Sequence, residues 1–342
     1  MQILPALEQG GVESVVTSLN RTVVGEGWES VVISSGGALV AEIERDGGRH
    51  LTLGVKSKNP FTFLFRAAAL RRALVAERPD LVCVHSRLPA WLYLRAARGL
   101  GIRWITYAHG ANSVSRYSEV MTRGDAVVTP SEFLADYLRA NYRFDHAKIR
   151  VINPAVDGRR FDPANLDLRF VGEKRREWDI GDGDRVLMAV GRITPVKGYD
   201  RLIADYLAGR HPGFTRLVIV GGADRSHREY ADRLRALADG NPGRGIVFAG
   251  PQTRIPECLS LADAVVSANV TKPETFGISV VEAYAMDKIV VAKRFGGVAE
   301  VMAAVEGEIA SGRAKGLRDA ALSLYGTEVL RRKTVALYRE FL

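Results

Sequence analysis

Two kinds of segment alternate along the chain. Short apolar runs rich in β-branched residues are separated by longer stretches whose apolar residues recur at helical spacing. In the first half the short runs are QILPAL (2–7), ESVVISS (29–35), LTLGV (51–55), LVCVHS (81–86), WITYA (104–108) and AVVTPS (126–131). Between them, VESVVTSLNRTVVGEG and FTFLFRAAALRRALVAERPD read as helices, the second with Arg66, Arg71, Arg72 and Arg78 among its apolar positions. Strand runs alternating with helices are the pattern of a parallel α/β sheet.

Around 151–185 the alternation lapses. VINPAVDGRRFDPANL and DIGDGD are rich in Pro, Gly, Asn and Asp, as expected of a linker. A second series then begins with VLMAVGRI and continues through LVIVGGA, GIVFAG, DAVVSAN and KIVVAKR. The pattern predicts two parallel-sheet domains, residues 1–158 and 159–328, with neither internal repeats nor low-complexity segments. Ligands of such sheets bind beyond the carboxyl ends of the strands, so a cleft between the domains is the expected active site.

Composition narrows this picture without changing it. At 342 residues the chain is long for one hydrophobic core, and 47% apolar with 25% charged residues is the balance of a soluble globular protein. No stretch is long and apolar enough for a transmembrane helix, and MQILPAL has no basic segment ahead of an apolar one, so a cleaved signal is not expected. Cys83 and Cys258 lie far apart in apolar runs and read as buried free thiols in a reducing compartment. The six histidines form no HxH or HExxH pattern, and no metal site is expected. The net charge of +9 leans toward the first half: residues 1–160 hold 21 Lys and Arg against 15 Asp and Glu. Such a half could meet nucleic acid, an anionic membrane or a phosphorylated substrate, but no nucleic-acid motif accompanies it.

Four glycine-containing turns follow strand-like runs. Gly10-Gly11 lets backbone approach a ligand at a helix N-terminus, or is an ordinary turn. In VGRITPVKG, Arg192 and Lys197 suit a diphosphate, or are solvated loop charges. VGGADRS reads as a structural turn. KPETFGISVVEAYAM brings Glu274, Phe276, Gly277 and Glu282 to the mouth of a helix. Its apolar face is Val280, Val281, Tyr284 and Ala285, with Glu282 off that face. The N–H groups around Gly277, Ile278 and Ser279 would be open to phosphate oxygens, and a side chain at Gly277 would block that approach. Taken singly, Glu282 is also explained as a dipole partner and Glu274 as an exposed loop acid. Neither explanation accounts for the cluster.

The order of EQGGVE, AHG (108–110), GRITPVKG, KPETFGISVVEAYAM and FGGVAEV (295–301) resembles glycosyltransferase family 4, retaining nucleotide-sugar transferases of GT-B architecture. The resemblance covers nearly the whole chain and implies two Rossmann-like domains facing a central cleft. It implies that Glu282 binds the ribose hydroxyls. Arg192 and Lys197 would bind the diphosphate, with the amides after Phe276 and the Gly10-Gly11 turn. Glu274 would hold hydroxyls of the donor sugar, and His109 would lie near the reacting centre. The base would meet the loop near Gly250 to Pro256, with GDP-mannose and a UDP-hexose both open as donors. No cofactor and no DxD-bound metal are implied, and the DGD at 182–184 reads as a loop decoy. Charge that builds on the β-phosphate as the bond breaks would be met by Arg192, Lys197 and the helix N-terminus. In the family view the departing phosphate then helps deprotonate an acceptor attacking from the same face. A double displacement, with His109 and Glu274 as candidates, ranks lower.

PALEQGGVE, SKNPFTFLFRAAALRR, VHSRLPAW and AHGANSVSRYSEVMTRGD are similar to bacterial lipopolysaccharide-core glycosyltransferases. That implies an anionic glycolipid acceptor met by Arg87, Arg116 and Tyr117, with peripheral contact to the inner face of the inner membrane. Arg87 reads equally as a surface cation at a helix start. The chain departs from the family at Asn153-Pro154-Ala155, in place of an Asn-Gly turn, and at Asp287 and Ile289 in AMDKIVVA. It is also short after Met302. The closing helix, 329–342, is implied to cross back onto the first domain. Competing readings are a nucleotide-sugar epimerase of similar fold, a transferase acting on another cell-envelope glycan or glycolipid, and a basic nucleic-acid or membrane-surface binder. A phosphorylase of this fold would carry pyridoxal phosphate on a lysine, and the sequence offers no recognisable place for it.

Overall fold

The computed structural model describes residues 1–8, 10–269 and 272–342. Gln9 of the EQGG turn and Thr271 of the expected TKPE loop lie outside the described residues. The chain divides into two compact units, one of Met1–Ala155 with Thr327–Leu342, the other of Val156–Gly326.

In the first unit, β1 (Gln2–Ile3), β2 (Val31–Ser34), β3 (Arg49–Thr52), β4 (Leu81–Val84), β5 (Arg103–Tyr107), β6 (Ala126–Thr129) and β7 (Ile149–Val151) form one sheet. Its helices are α1 (Gly11–Gly25), α2 (Val40–Arg45), α3 (Phe63–Glu77), α4 (Arg87–Ala96) and α5 (Glu132–Asn141). The strands run parallel in the order β3-β2-β1-β4-β5-β6-β7. Alternate residues divide its two cores, because side chains on a strand point to opposite faces. Val82 and Val84 pack with Leu70 and Leu74 of α3 and Leu92 of α4, whereas Leu81 and Cys83 face Leu19 of α1. The expected strand 2–7 is paired as a ladder only over Gln2–Ile3, since Pro5 has no N–H to donate. Leu4 and Leu7 stay fully buried beyond it.

The second unit opens with α6 (Leu168–Glu177) and continues through α7 (Tyr199–Leu207), α8 (Arg228–Asp239), α9 (Ile255–Ser260), α10 (Ile278–Ala285), α11 (Gly297–Ala310) and α12 (Leu317–Tyr325). Its strands β8 (Val186–Val190), β9 (Arg216–Val220), β10 (Ile246–Gly250), β11 (Ala264–Ser267) and β12 (Ile289–Ala292) lie parallel in the order β10-β9-β8-β11-β12. Val186, Met188, Val218 and Val220 pack against α10 and α11, and Leu187, Ala189, Leu217 and Ile219 against α7 and α8. The expectation of two parallel-sheet α/β domains is met.

The reading of 151–185 as linker is corrected in part. Helix α6 lies inside it, capped by the Asp167 carboxylate, which accepts from the N–H groups of Arg169 and Phe170 at 3.1 and 3.2 Å. Trp178, just after α6, is a core residue. The carboxylates of the DGD segment have structural partners: Asp182 pairs with Arg175, and Asp184 with Arg216 and the Thr215 hydroxyl.

The last helix, α13 (Thr327–Arg339), packs on α1 within the first unit. Its Tyr338 hydroxyl is buried, 3.0 Å from the Tyr107 hydroxyl, and accepts from the Cys83 thiol at 3.2 Å. Tyr338→Phe should cost about 1 kcal/mol through the lost hydrogen bonds. Tyr338→Ala should cost about 3–5 kcal/mol by opening a core cavity. Urea unfolding of the two variants beside the native chain checks that ordering.

Candidate functional site

In the second unit the order of strands reverses between β8 and β11. The connections leaving these neighbours run to opposite sides, opening a crevice at the carboxyl ends of the strands. The segment after β8 carries Arg192 and Lys197, and the segment after β11 carries Glu274, Phe276 and Gly277 into α10. Gly198 joins the two: its φ is +68°, and a Cβ there would lie 2.5 Å from the Ala268 carbonyl oxygen. Only glycine lets these loops approach so closely.

Lys197 and Glu274, read from sequence as serving different parts of a ligand, form an ion pair with each other, both side chains largely withdrawn from solvent. Arg192 is exposed and makes no hydrogen bond or ion pair among the described residues. At the start of α10, Val280 N–H is bonded to the Gly277 carbonyl, and Ile278 and Ser279 occupy the first two helical positions, where N–H groups have no partner in the helix. Two of the expected donor residues have structural roles here. The Phe276 side chain is 5% exposed and packs edge-on against Tyr325 with ring centroids 5.3 Å apart, so it belongs to the core. Gly277 is required by its φ of +95° and by Val298, whose Cγ2 would lie 2.7 Å from an added Cβ. Helix packing by itself requires that glycine.

Glu282 sits on the second turn of α10, between buried Val281 and Ala283. Its carboxylate accepts no hydrogen bond among the described residues, and burial pushes its pKa up to about 7 against the opposing pull of Arg160 and Lys197. Arg160 was not singled out from sequence, where Arg159 beside it looks identical. The fold distinguishes them. Arg160 donates to the Thr253 carbonyl at 3.1 Å, in the loop expected to meet a nucleobase, and its guanidinium lies 5.5 Å from the Phe161 ring centroid. Arg318 holds this segment in place, donating to the carbonyls of Gly158, Phe161 and Ala285. It thereby ties the Arg160 loop to the end of the helix bearing Glu282. Asp287, in left-handed backbone at φ 54°, accepts from the Arg318 N–H at 3.0 Å.

In the first unit, Gly10 and Gly11 begin α1. Gly10 has extended backbone and a Cβ there would meet only the flexible Glu13 carboxylate, while Gly11 faces open space. Conformation does not demand glycine at either position. After β5, His109 stacks on His85, with ring centroids 5.3 Å apart and Nε2 3.0 Å from His85 Nδ1. Tyr107 stacks on His85 at 4.6 Å. Burial draws the His109 pKa down to about 4, and burial with the neighbouring His109 lowers that of His85. Both rings are therefore neutral near pH 7. His85 Nε2 is buried without a hydrogen-bond partner among the described residues. A bare acceptor is tolerated there better than an orphaned N–H. With the His85 proton on Nδ1, donating to His109 Nε2, only a bare acceptor is left buried at His85 Nε2. Arg87 opens α4, donates to the Ser118 hydroxyl at 3.0 Å and lies over the Tyr117 ring at 5.3 Å. Arg116 is exposed. The structure thus brings Arg87 and Tyr117 together.

Two family models match the chain in tandem: Glycosyltransferase Family 4 over residues 9–160 and Glycosyl transferases group 1 over residues 184–327. A curated relative, D-inositol 3-phosphate glycosyltransferase of Acidothermus cellulolyticus, is 29% identical over 68% of this chain and 57% of its own length. The chain spans only about half the length of the curated relatives it matches. Among solved structures, a glycosyltransferase from Rickettsia africae superposes with TM-score 0.82 at 24% identity, covering 99% of this chain and 98% of that one. Anabaena HepE in complex with UDP-glucose gives 0.80 at 18%, covering 99% and 100%. WaaG, a glycosyltransferase involved in lipopolysaccharide biosynthesis, gives 0.65 at 17%, covering 97% and 94%. At these identities the likeness establishes the shared fold, the GT-B architecture.

Two outcomes test the local geometry. Gly277→Ala should destabilise the protein by about 2 kcal/mol or more, since it combines positive φ with overpacking. Nitrogen-15 NMR of the imidazoles at neutral pH should find both His85 and His109 protonated on Nδ1. His109 protonated on Nε2 would reverse the assigned hydrogen bond.

Proposed function

We propose, for a chain that belongs to glycosyltransferase family 4, that it transfers a hexose from a nucleotide sugar to a glycolipid acceptor with retention of configuration. The observation that carries the donor half is the crevice of the second unit. There a half-buried carboxylate that accepts no hydrogen bond among the described residues, Glu282, lies among Arg160, Lys197 and the N-terminus of α10. A ribose diol supplies the two donors that such a carboxylate lacks. Arg192, Lys197 and the amides of Ile278 and Ser279 then take the diphosphate. Lys197 leaves Glu274 for the phosphate as the donor enters, freeing Glu274 for sugar hydroxyls. For Gly10, Gly11 and His109 of the first unit the reading keeps the roles that the family resemblance implies.

The chemistry asked of these groups is electrostatic. As the glycosidic bond breaks, charge develops on the β-phosphate, where fixed cations and helix N–H groups stabilise it without reorganisation. The departing phosphate accepts the proton of the acceptor hydroxyl attacking from the same face. The reading includes no cofactor beyond the nucleotide sugar and assigns the phosphate charge to protein groups. A UDP-hexose is supported by the fold's likeness to a structure holding UDP-glucose, and GDP-mannose is the other donor to be tried.

For the acceptor, the segments around Arg87, Arg116 and Tyr117 support a lipopolysaccharide core, whose phosphates suit a basic unit. That reading includes peripheral work at the inner face of the bacterial inner membrane. The curated relatives, D-inositol 3-phosphate glycosyltransferases, favour a second reading in which the acceptor is a phosphorylated polyol. Transfer from labelled UDP-glucose, UDP-galactose and GDP-mannose to truncated lipopolysaccharide and to inositol phosphate decides between them. Absence of both transfer and nucleotide binding would refute the proposal.

A pH dependence follows from Glu282. Its raised pKa favours the protonated form, so in the free protein its contribution to stability declines as pH rises from about 4.5 to about 7. Ribose hydroxyls bind the ionised form, so nucleotide affinity should rise over the same window, with proton release on binding. Calorimetry in buffers of different ionisation enthalpy measures that release. Glu282→Gln should abolish it and weaken nucleotide binding by roughly tenfold or more, the effect of losing charge-assisted hydrogen bonds.

A further inference from the structure

Helix α3 is apolar on more than the side it buries. Ala67, Leu70 and Leu74 face the core of the first unit, yet Phe61 in the 3-10 turn just before it and Leu64 and Phe65 in its first turn are 88%, 62% and 77% exposed. Three large apolar side chains within five residues form a patch of the kind that marks an interaction surface.

The patch is held rather than loose. The Asn59 side chain accepts from the Phe61 N–H at 2.9 Å, and Arg66 reaches back to the Asn59 carbonyl at 2.8 Å and the Thr62 hydroxyl at 3.1 Å. Its surroundings have one sign of charge. Residues 47–76 contain six Lys and Arg and no Asp or Glu. Lys56, Lys58 and Arg72 are exposed and have no carboxylate partner among the described residues.

We propose that Phe61, Leu64 and Phe65, with Lys56, Lys58 and Arg72, form a docking surface for an anionic lipid bilayer. Exposed aromatic and leucine side chains enter the headgroup–acyl boundary, while long cationic side chains keep their charge at the phosphates. Neither half of the surface explains the other: solvated cations need no aromatic cluster, and a neutral apolar partner needs no cations. The topology gives the surface a purpose. It follows the carboxyl end of β3, the edge strand of the sheet, and His85, Arg87 and His109 follow the carboxyl ends of β4 and β5 in the same parallel sheet. Docking would therefore bring that end of the unit to the membrane. The inference extends the glycolipid-acceptor reading, but its test uses no substrate.

The full chain is sedimented with vesicles of phosphatidylcholine alone and of phosphatidylcholine mixed with phosphatidylglycerol. The native chain should bind the mixed vesicles about tenfold or more tightly than the neutral ones, and added salt should weaken that binding. Phe61→Ser with Phe65→Ser, and separately Lys56→Glu with Lys58→Glu, should each lower binding to mixed vesicles about tenfold or more. Both variants should keep the native melting temperature, since these side chains support no core. Equal binding to both vesicle types, no binding, or binding unchanged in the variants would overturn the proposal. So would a native dimer that dissociates in the phenylalanine variant, which would make the patch a contact between copies. Failure here with nucleotide binding intact leaves the donor reading standing; loss of nucleotide binding with vesicle binding intact does the reverse.

Discussion

The pairing of β8 with β11 is the constraint from which the candidate donor site follows. Because strand order reverses at that pair, the connections after the two strands diverge, and nothing in the sheet fills the space at their carboxyl ends. Lys197 arrives from one connection and Glu274 from the other, and their ion pair spans the gap. Gly198 makes the approach possible by lying against the Ala268 carbonyl. Without the reversal these residues would be separate loop charges, which is how each looks alone.

Opposing effects set the charge on Glu282 in that crevice. Burial disfavours the Glu282 carboxylate, and Arg160 and Lys197 partly restore it. The position of Arg160 depends on Arg318, which bonds three backbone carbonyls from two separate segments. Removing Arg318 would leave those carbonyls without donors and release the loop that carries Arg160. The geometry around Glu282 is thus maintained from outside the site.

Much of this was legible in the sequence because period and punctuation are local signals. Among the described residues, eleven of the twelve strands fall within or across the apolar runs of the sequence, and Arg192, Lys197, Glu274 and Glu282 stand where a glycine-containing turn meets a helix. What escaped depended on tertiary partners. Helix α6 has only Leu168, Phe170 and Val171 as apolar side chains among ten residues and follows a Pro- and Asn-rich stretch, and β7 is three residues long. Arg160 and Arg318 have no local pattern separating them from other arginines. The packing reason for Gly277 is not local, since Val298 on α11 lies over twenty residues away in sequence. His85 gains its meaning only through the stack that β4 and β5 create.

The central claim is that Glu282 waits for a pair of ribose hydroxyls. Isothermal titration with UDP and with 2′,3′-dideoxy-UDP, on the native chain and on Glu282→Gln, tests it directly, with GDP and its dideoxy counterpart tried if UDP does not bind. The account predicts that the native chain binds the dideoxy nucleotide at least about tenfold more weakly, because a half-buried carboxylate is left unpaired, and that the variant barely distinguishes the two. Equal affinity of the native chain for both nucleotides would contradict it.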